Sequence, residues 1–169
     1  MNTLHLVVTT LCDRNCAWCC NRQYDIKNLE YATEEDFRWA DMLCLTGGEP
    51  FQYTNPLELA SYYEHKYPNI QAGGVVVYTN AFELWSYRLA DGHIDRRIDG
   101  LNISIKNKHD ARVFNEHLVC DRDIIDLPLN RVYNFTNENL IHSDHFEYIQ
   151  REWQQHFVPA PNCRFKRGN

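Results

Sequence analysis

Apolar residues in this chain gather in short runs, separated by longer stretches in which they recur every three or four positions. Five runs read as strands: Leu4–Thr10, Met42–Thr46, Gly74–Thr79, Leu101–Ile105 and Arg131–Phe135. The spacing between them is helical. Thr33 followed by Glu34, Glu35 and Asp36 predicts an N-cap with acids in the first turn, where they complement the helix dipole. Asn55-Pro56 opens a second helix, with Pro at its first position and Pro68 beyond its far end. Phe82, Trp85 and Leu89 mark a third, stopped at Asp91-Gly92. Ser143 is read as the cap of a last helix carrying Phe146, Ile149, Trp153 and Phe157 on one face, broken by Val158-Pro159-Ala160-Pro161.

Strands alternating with helices imply right-handed crossovers and a parallel sheet with helices outside it. Five to six strands fall short of the eight of a closed barrel. The expected fold is therefore α/β, a partial, splayed parallel β/α barrel, in a single domain over residues 1–169. Ligands on such sheets sit at the carboxyl ends of the strands. That edge should gather Cys12–Cys19, Gly47–Glu49, Thr79-Asn80 and Ser104–Lys106, which are far apart in sequence. Their convergence is the main structural expectation.

Composition narrows the partners. Hydrophobic residues at 44% and charged residues at 24% describe an ordinary globule. Seventeen basic residues against 23 acidic ones leave a net charge of −6, which argues against an extended nucleic-acid partner. The one compact basic group, Arg164, Lys166 and Arg167, reads as a solvated tail. No apolar run approaches the roughly 20 residues that span a bilayer, and no basic leader precedes an apolar stretch at the start. A cytoplasmic setting without membrane contact is expected. Seven cysteines, an odd number, fit that compartment better than a disulfide scaffold.

The chemistry lies in two motifs. Cys12, Cys16 and Cys19 stand as C-x3-C-x2-C directly after the first strand, with Trp18 before the third cysteine. Three thiolates on one short loop can hold three irons of a four-iron cubane and leave the fourth open to another ligand. The second motif, Gly47-Gly48-Glu49-Pro50, ends the second strand. Its glycines permit torsions closed to other residues and close approach, and its carboxylate can accept hydrogen bonds from an ammonium group. By spacing alone, Cys16-x2-Cys19 is also a legal zinc pair, completed by Cys12 or Cys20 and a histidine.

Together the two motifs resemble the radical S-adenosylmethionine superfamily. The resemblance implies a 4Fe-4S cluster on Cys12, Cys16 and Cys19, with S-adenosylmethionine chelated at the open iron. It further implies that Gly47, Gly48 and Glu49 hold the methionyl amine, and that Ser104 and Lys106 serve the ribose hydroxyls and the carboxylate. Asn80 would line the same cavity, and Trp18 would pack at the adenine edge. The implied activity is reductive cleavage to a 5′-deoxyadenosyl radical that abstracts hydrogen from a substrate, a small molecule, nucleotide or modified base. The electron would come from a low-potential donor such as flavodoxin or ferredoxin. Cys19-Cys20-Asn21-Arg22 is similar to the loop ending of glycyl-radical activases, although Leu11 stands where those have glycine. The Gly-Gly-Glu-Pro segment is shared with the deazaguanine synthases. Arg131–Thr136 lacks the glycine of the family's adenine-contact segment. Cys20, adjacent to a ligand position, reads as packing, and Cys44 as buried in its strand; Cys120 and Cys163 have no partner pattern. The eight histidines are scattered without ligand spacing, which suits surface or capping roles. The competing class is a non-catalytic zinc-binding interaction module.

Overall fold

The structure is a computed structural model that describes residues 1–17, 19–22, 25–152 and 159–168. Its centre is one sheet of seven strands: β1 (Thr3–Thr9), β2 (Met42–Gly47), β3 (Gly74–Asn80), β4 (Gly100–Ile105), β5 (Arg131–Asn134), β6 (Glu147–Gln150) and β7 (Cys163–Arg167). The order is β6-β5-β4-β3-β2-β1-β7, and every neighbouring pair is parallel. The fold is thus α/β with an all-parallel sheet. The first five strands fall within a residue or so of the five apolar runs.

Two strands exceed the expected count, and both correct the sequence reading. Glu147–Gln150, expected inside a helix capped by Ser143, is the edge strand β6. Phe146 still enters the core, edge-on to Phe114 at 5.3 Å. Arg131 holds Glu147 at 2.6 Å across the strand pair, and Tyr148 donates to the Ile141 carbonyl at 2.9 Å. Pairing to β5 outweighs the helical spacing of two apolar residues. Trp153 and Phe157, the rest of that expected helix, lie outside the described residues.

The expected solvated tail is the other correction. Arg164, Lys166 and Arg167 belong to β7, which pairs with β1. Arg164 pairs with Asp36 at 2.9 Å and stacks over Trp39, and Lys166 reaches Glu30 at 2.5 Å. Arg167 lies over Tyr31.

Helices cover one face of the sheet: α1 (Glu34–Trp39), α2 (Pro50–Tyr53), α3 (Pro56–Lys66), α4 (Ala81–Leu89), α5 (Lys108–Val113) and α6 (Arg122–Ile125). Local chemistry starts them. Thr33 and Asp36 close a reciprocal capping box on α1. Asn55, Asn80 and Asn107 cap α3, α4 and α5 through their side-chain oxygens. Period-two alternation turns Leu4, Leu6, Leu43, Leu45, Val75, Val77, Leu101 and Ile103 toward these helices, where all eight are buried in one core with Phe37, Leu84 and Phe114. The opposite face carries His5, Cys44, Tyr78, Asn102, Ser104 and Tyr133. Cys44 is buried there, as its strand position implies. No helix among the described residues is long and apolar enough to cross a membrane.

Candidate functional site

Where β1 ends, the chain passes directly over the end of β2. Gly48 N–H donates to the Thr9 carbonyl at 2.8 Å and Glu49 N–H to the Leu11 carbonyl at 2.9 Å. Gly47 has φ +134°, and a Cβ on either glycine would collide with those carbonyls. The glycine pair is therefore required by the cysteine loop itself, whose backbone lies where a side chain would be. Beyond the loop, Asn21 donates to the Gly47 carbonyl at 2.7 Å. The loop is pinned at both ends to the segment it crosses.

Its middle is held by Arg14, between the first two cysteines. Arg14 Nη1 pairs with Asp110 Oδ1 at 2.7 Å and donates also to Asn80 Oδ1. Its guanidinium lies 5.7 Å from the Phe82 ring centroid. Asp110 is fully buried, and its second oxygen accepts from Lys106 N–H at 3.1 Å. Burial works against the Arg14 charge, but the hydrogen bond and charge of Asp110 outweigh it and raise its pKa. This ion pair ties the loop after β1 to the ends of β3 and β4.

Glu49 is 2% exposed. Thr79 Oγ1 donates to Oε1 at 2.7 Å and Asn80 Nδ2 to Oε2 at 2.7 Å. Longer bonds arrive from Phe51 N–H at 3.4 Å and Asn80 N–H at 3.3 Å. Burial nonetheless pushes its pKa up to about 7, because all four donors are neutral and only partly replace lost hydration. A cation brought to this carboxylate would relieve that cost. The arrangement can thus receive an ammonium group.

Cys12, Cys16, Cys19, Gly47, Gly48, Glu49, Asn80, Ser104 and Lys106 all line one cleft at the carboxyl edge of the sheet. That brings together every expected site residue except Trp18, which lies outside the described residues. The cleft has a volume of about 50 Å³.

Burial raises the pKa of Cys12, with Glu49, Cys16 and Cys19 adding to it. Burial also raises that of Cys16, against the lowering effect of Lys106 and Arg14. Both are thiols at neutral pH until a metal displaces their protons. Among the described residues no three His, Cys, Asp or Glu side chains are grouped so as to hold one metal ion. Three thiols lining one cleft are soft donors of the kind that both iron–sulfur clusters and zinc take. For Cys20, the backbone belongs to a 3-10 turn, Cys20–Arg22.

Arg14, Asp110, Asn21 and Tyr78 were not legible as site residues. Arg14 is an ordinary charge in a loop, and Asp110, three residues after the cap Asn107, looks like a first-turn acid. Of the histidines, His5 departs from a surface role. It stacks on Phe165 at 4.2 Å, and burial holds its pKa down at about 4. Set against known proteins, the chain matches no family model, no curated protein and no solved structure.

Proposed function

We propose that this protein is a radical S-adenosylmethionine enzyme on a partial β/α barrel, with a 4Fe-4S cluster on Cys12, Cys16 and Cys19. The single observation that carries the proposal is the shared cleft. Two motifs 28 residues apart, counted between Cys19 and Gly47, meet with Asn80, Ser104 and Lys106 at the carboxyl edge of an all-parallel sheet. Bound there, the cluster and S-adenosylmethionine would supply one-electron reductive cleavage and a hydrogen-abstracting 5′-deoxyadenosyl group.

The chain's own part is positioning. Arg14 and Asp110 fix the loop bearing the thiols. Glu49, oriented by Thr79 and Asn80, offers a buried carboxylate to the methionyl amine. Lys106 supplies positive charge for a carboxylate and Ser104 a hydroxyl for the ribose, both from the cleft wall. Glu49, Thr79 and Asn80 form the buried side of the cleft, where water is limited. An external low-potential donor such as flavodoxin or ferredoxin would deliver the electron. Activation of a glycyl-radical enzyme and deazaguanine synthesis are two reactions such a site could serve.

Anaerobic reconstitution with iron, sulfide and dithionite, followed by assay for 5′-deoxyadenosine, tests the proposal. The expected result is a brown protein that releases 5′-deoxyadenosine. Release no greater than from a Cys16→Ala control defeats it. Stoichiometric zinc, with no chromophore and no response to S-adenosylmethionine, would establish the interaction-module alternative instead.

A further inference from the structure

The sheet face turned away from the helices is aromatic and polar. Register places Tyr78 of β3, Asn102 of β4 and Arg131 of β5 side by side. One step nearer the carboxyl edge stand Asn80, Ser104 and Tyr133. The rings of Tyr78 and Tyr133 reach toward each other across β4, with planes 13° apart and centroids 6.0 Å apart. His5 lies beyond Tyr78, at 5.7 Å. Between the two tyrosines Asn102 is 1% exposed. Among the described residues its Oδ1 is the one buried side-chain oxygen or nitrogen without a hydrogen-bond partner. An unpaired buried acceptor costs stability, so its presence in a native fold calls for a reason. A ligand that completes it is one.

We propose that Tyr78 and Tyr133 clamp a planar heteroaromatic ligand with a lactam edge, whose ring N–H is accepted by Asn102 Oδ1. Stacked rings need about 3.5 Å on each side, or about 7 Å between the two tyrosines. The nearly parallel pair would part to admit one ring between them. An asparagine amide accepts through its oxygen and donates through its nitrogen, which matches the adjacent N–H and C=O of a lactam. An aliphatic ligand would leave both ring faces and the amide unused. Ser104 lies two residues along β4 from Asn102, about 6.6 Å away. Ser104 and Tyr78 also line the cysteine cleft, so the clamp opens into it. As the assignment of a substrate class, this rests on the proposed function of that cleft; as a binding site, it does not.

Calorimetric titration of the metal-free protein tests the clamp. The probes are inosine, whose base carries one lactam N–H, 1-methylinosine, which lacks it, and pterin, a bicyclic lactam without ribose. Inosine or pterin should bind at submillimolar concentration, and 1-methylinosine about tenfold more weakly than inosine. Asn102→Leu should weaken whichever lactam binds by about tenfold, without lowering the melting temperature, because the deleted oxygen had no partner to lose. Tyr133→Leu should weaken lactam and methylated probe alike, by roughly three- to tenfold. If Asn102→Leu fails to fold, the methylated probe and Tyr133→Leu carry the test. No binding of either lactam overturns the clamp, as does equal binding of inosine and 1-methylinosine. With no cluster present, failure here leaves the proposed function standing. Failure to release 5′-deoxyadenosine likewise leaves the clamp standing.

Discussion

Replacing Glu49 by Gln should change how stability depends on pH. The unfolded chain gives up this proton near 4.5, the folded protein only at about 7. Between those values the native state holds the extra proton, so stability falls as pH rises. Ionising the buried carboxylate then costs the fold about 1 kcal/mol at pH 5, about 2 kcal/mol at pH 6 and about 3 kcal/mol at pH 8. Gln is nearly isosteric with the protonated acid and cannot ionise. It can keep its oxygen toward Asn80 while Thr79 turns its hydroxyl to accept.

Urea denaturation of the metal-free, reduced protein at pH 5, 6 and 8 measures the effect. Glu49→Gln should gain about 2 to 3 kcal/mol relative to wild type between pH 5 and pH 8. The neutral His5, whose pKa is depressed, loses stability as pH falls below its ordinary 6.5, but it does so in both proteins and cancels. Parallel stability curves for the two proteins would refute the reasoning, because they would mean that the carboxylate is adequately solvated where it stands. The same buried charge predicts that amine affinity rises through pH 7 in wild type and stays flat in the variant.

Gly48→Ala should cost more than about 3 kcal/mol in urea denaturation, since a methyl group there displaces the Leu11 carbonyl and the loop with it. Arg14→Ala leaves Asp110 charged and buried without its cation. A loss of about 3 to 5 kcal/mol is expected, with faster proteolysis within residues 11–17 as the independent readout. After anaerobic reconstitution, Cys19→Ser should lose the bound iron while Cys20→Ser keeps it, as counted by iron and sulfide analysis. Equal loss in both variants would overturn the ligand assignment. Metal loading of the wild-type protein should strengthen as pH rises, because raised thiol pKa values at Cys12 and Cys16 leave protons to be displaced.

Much of the architecture is written locally. A strand with one face in the core needs apolar residues at alternate positions of a short run, so β1 to β5 stand out; a helix start needs a side-chain acceptor, so Thr33, Asn55 and Asn80 do too. The edge strands β6 and β7 are legible only in part. Their stability comes from partners 16 to 160 residues distant, Arg131 for Glu147 and β1 for β7, which no local window contains. The same division runs through the site. Residue types and spacing single out Cys12, Cys16, Cys19 and Gly47–Glu49 as candidates for chemistry, because three thiols and a buried acid this closely spaced after strand ends are unusual in a plain core.

What the amino-acid string determined by itself is therefore the alternation of elements, the parallel sheet and the donors gathered at its carboxyl edge. Tertiary structure alone decided why the two glycines are glycines, that Arg14 and Asp110 hold the loop, and that the Glu49 proton leaves near neutrality. It also set the Tyr78 and Tyr133 rings nearly parallel across β4, beside an amide oxygen that has no partner among the described residues. Each of these depends on distance between residues remote in sequence, and on the loss of water when they meet. Neither quantity exists until the chain has folded.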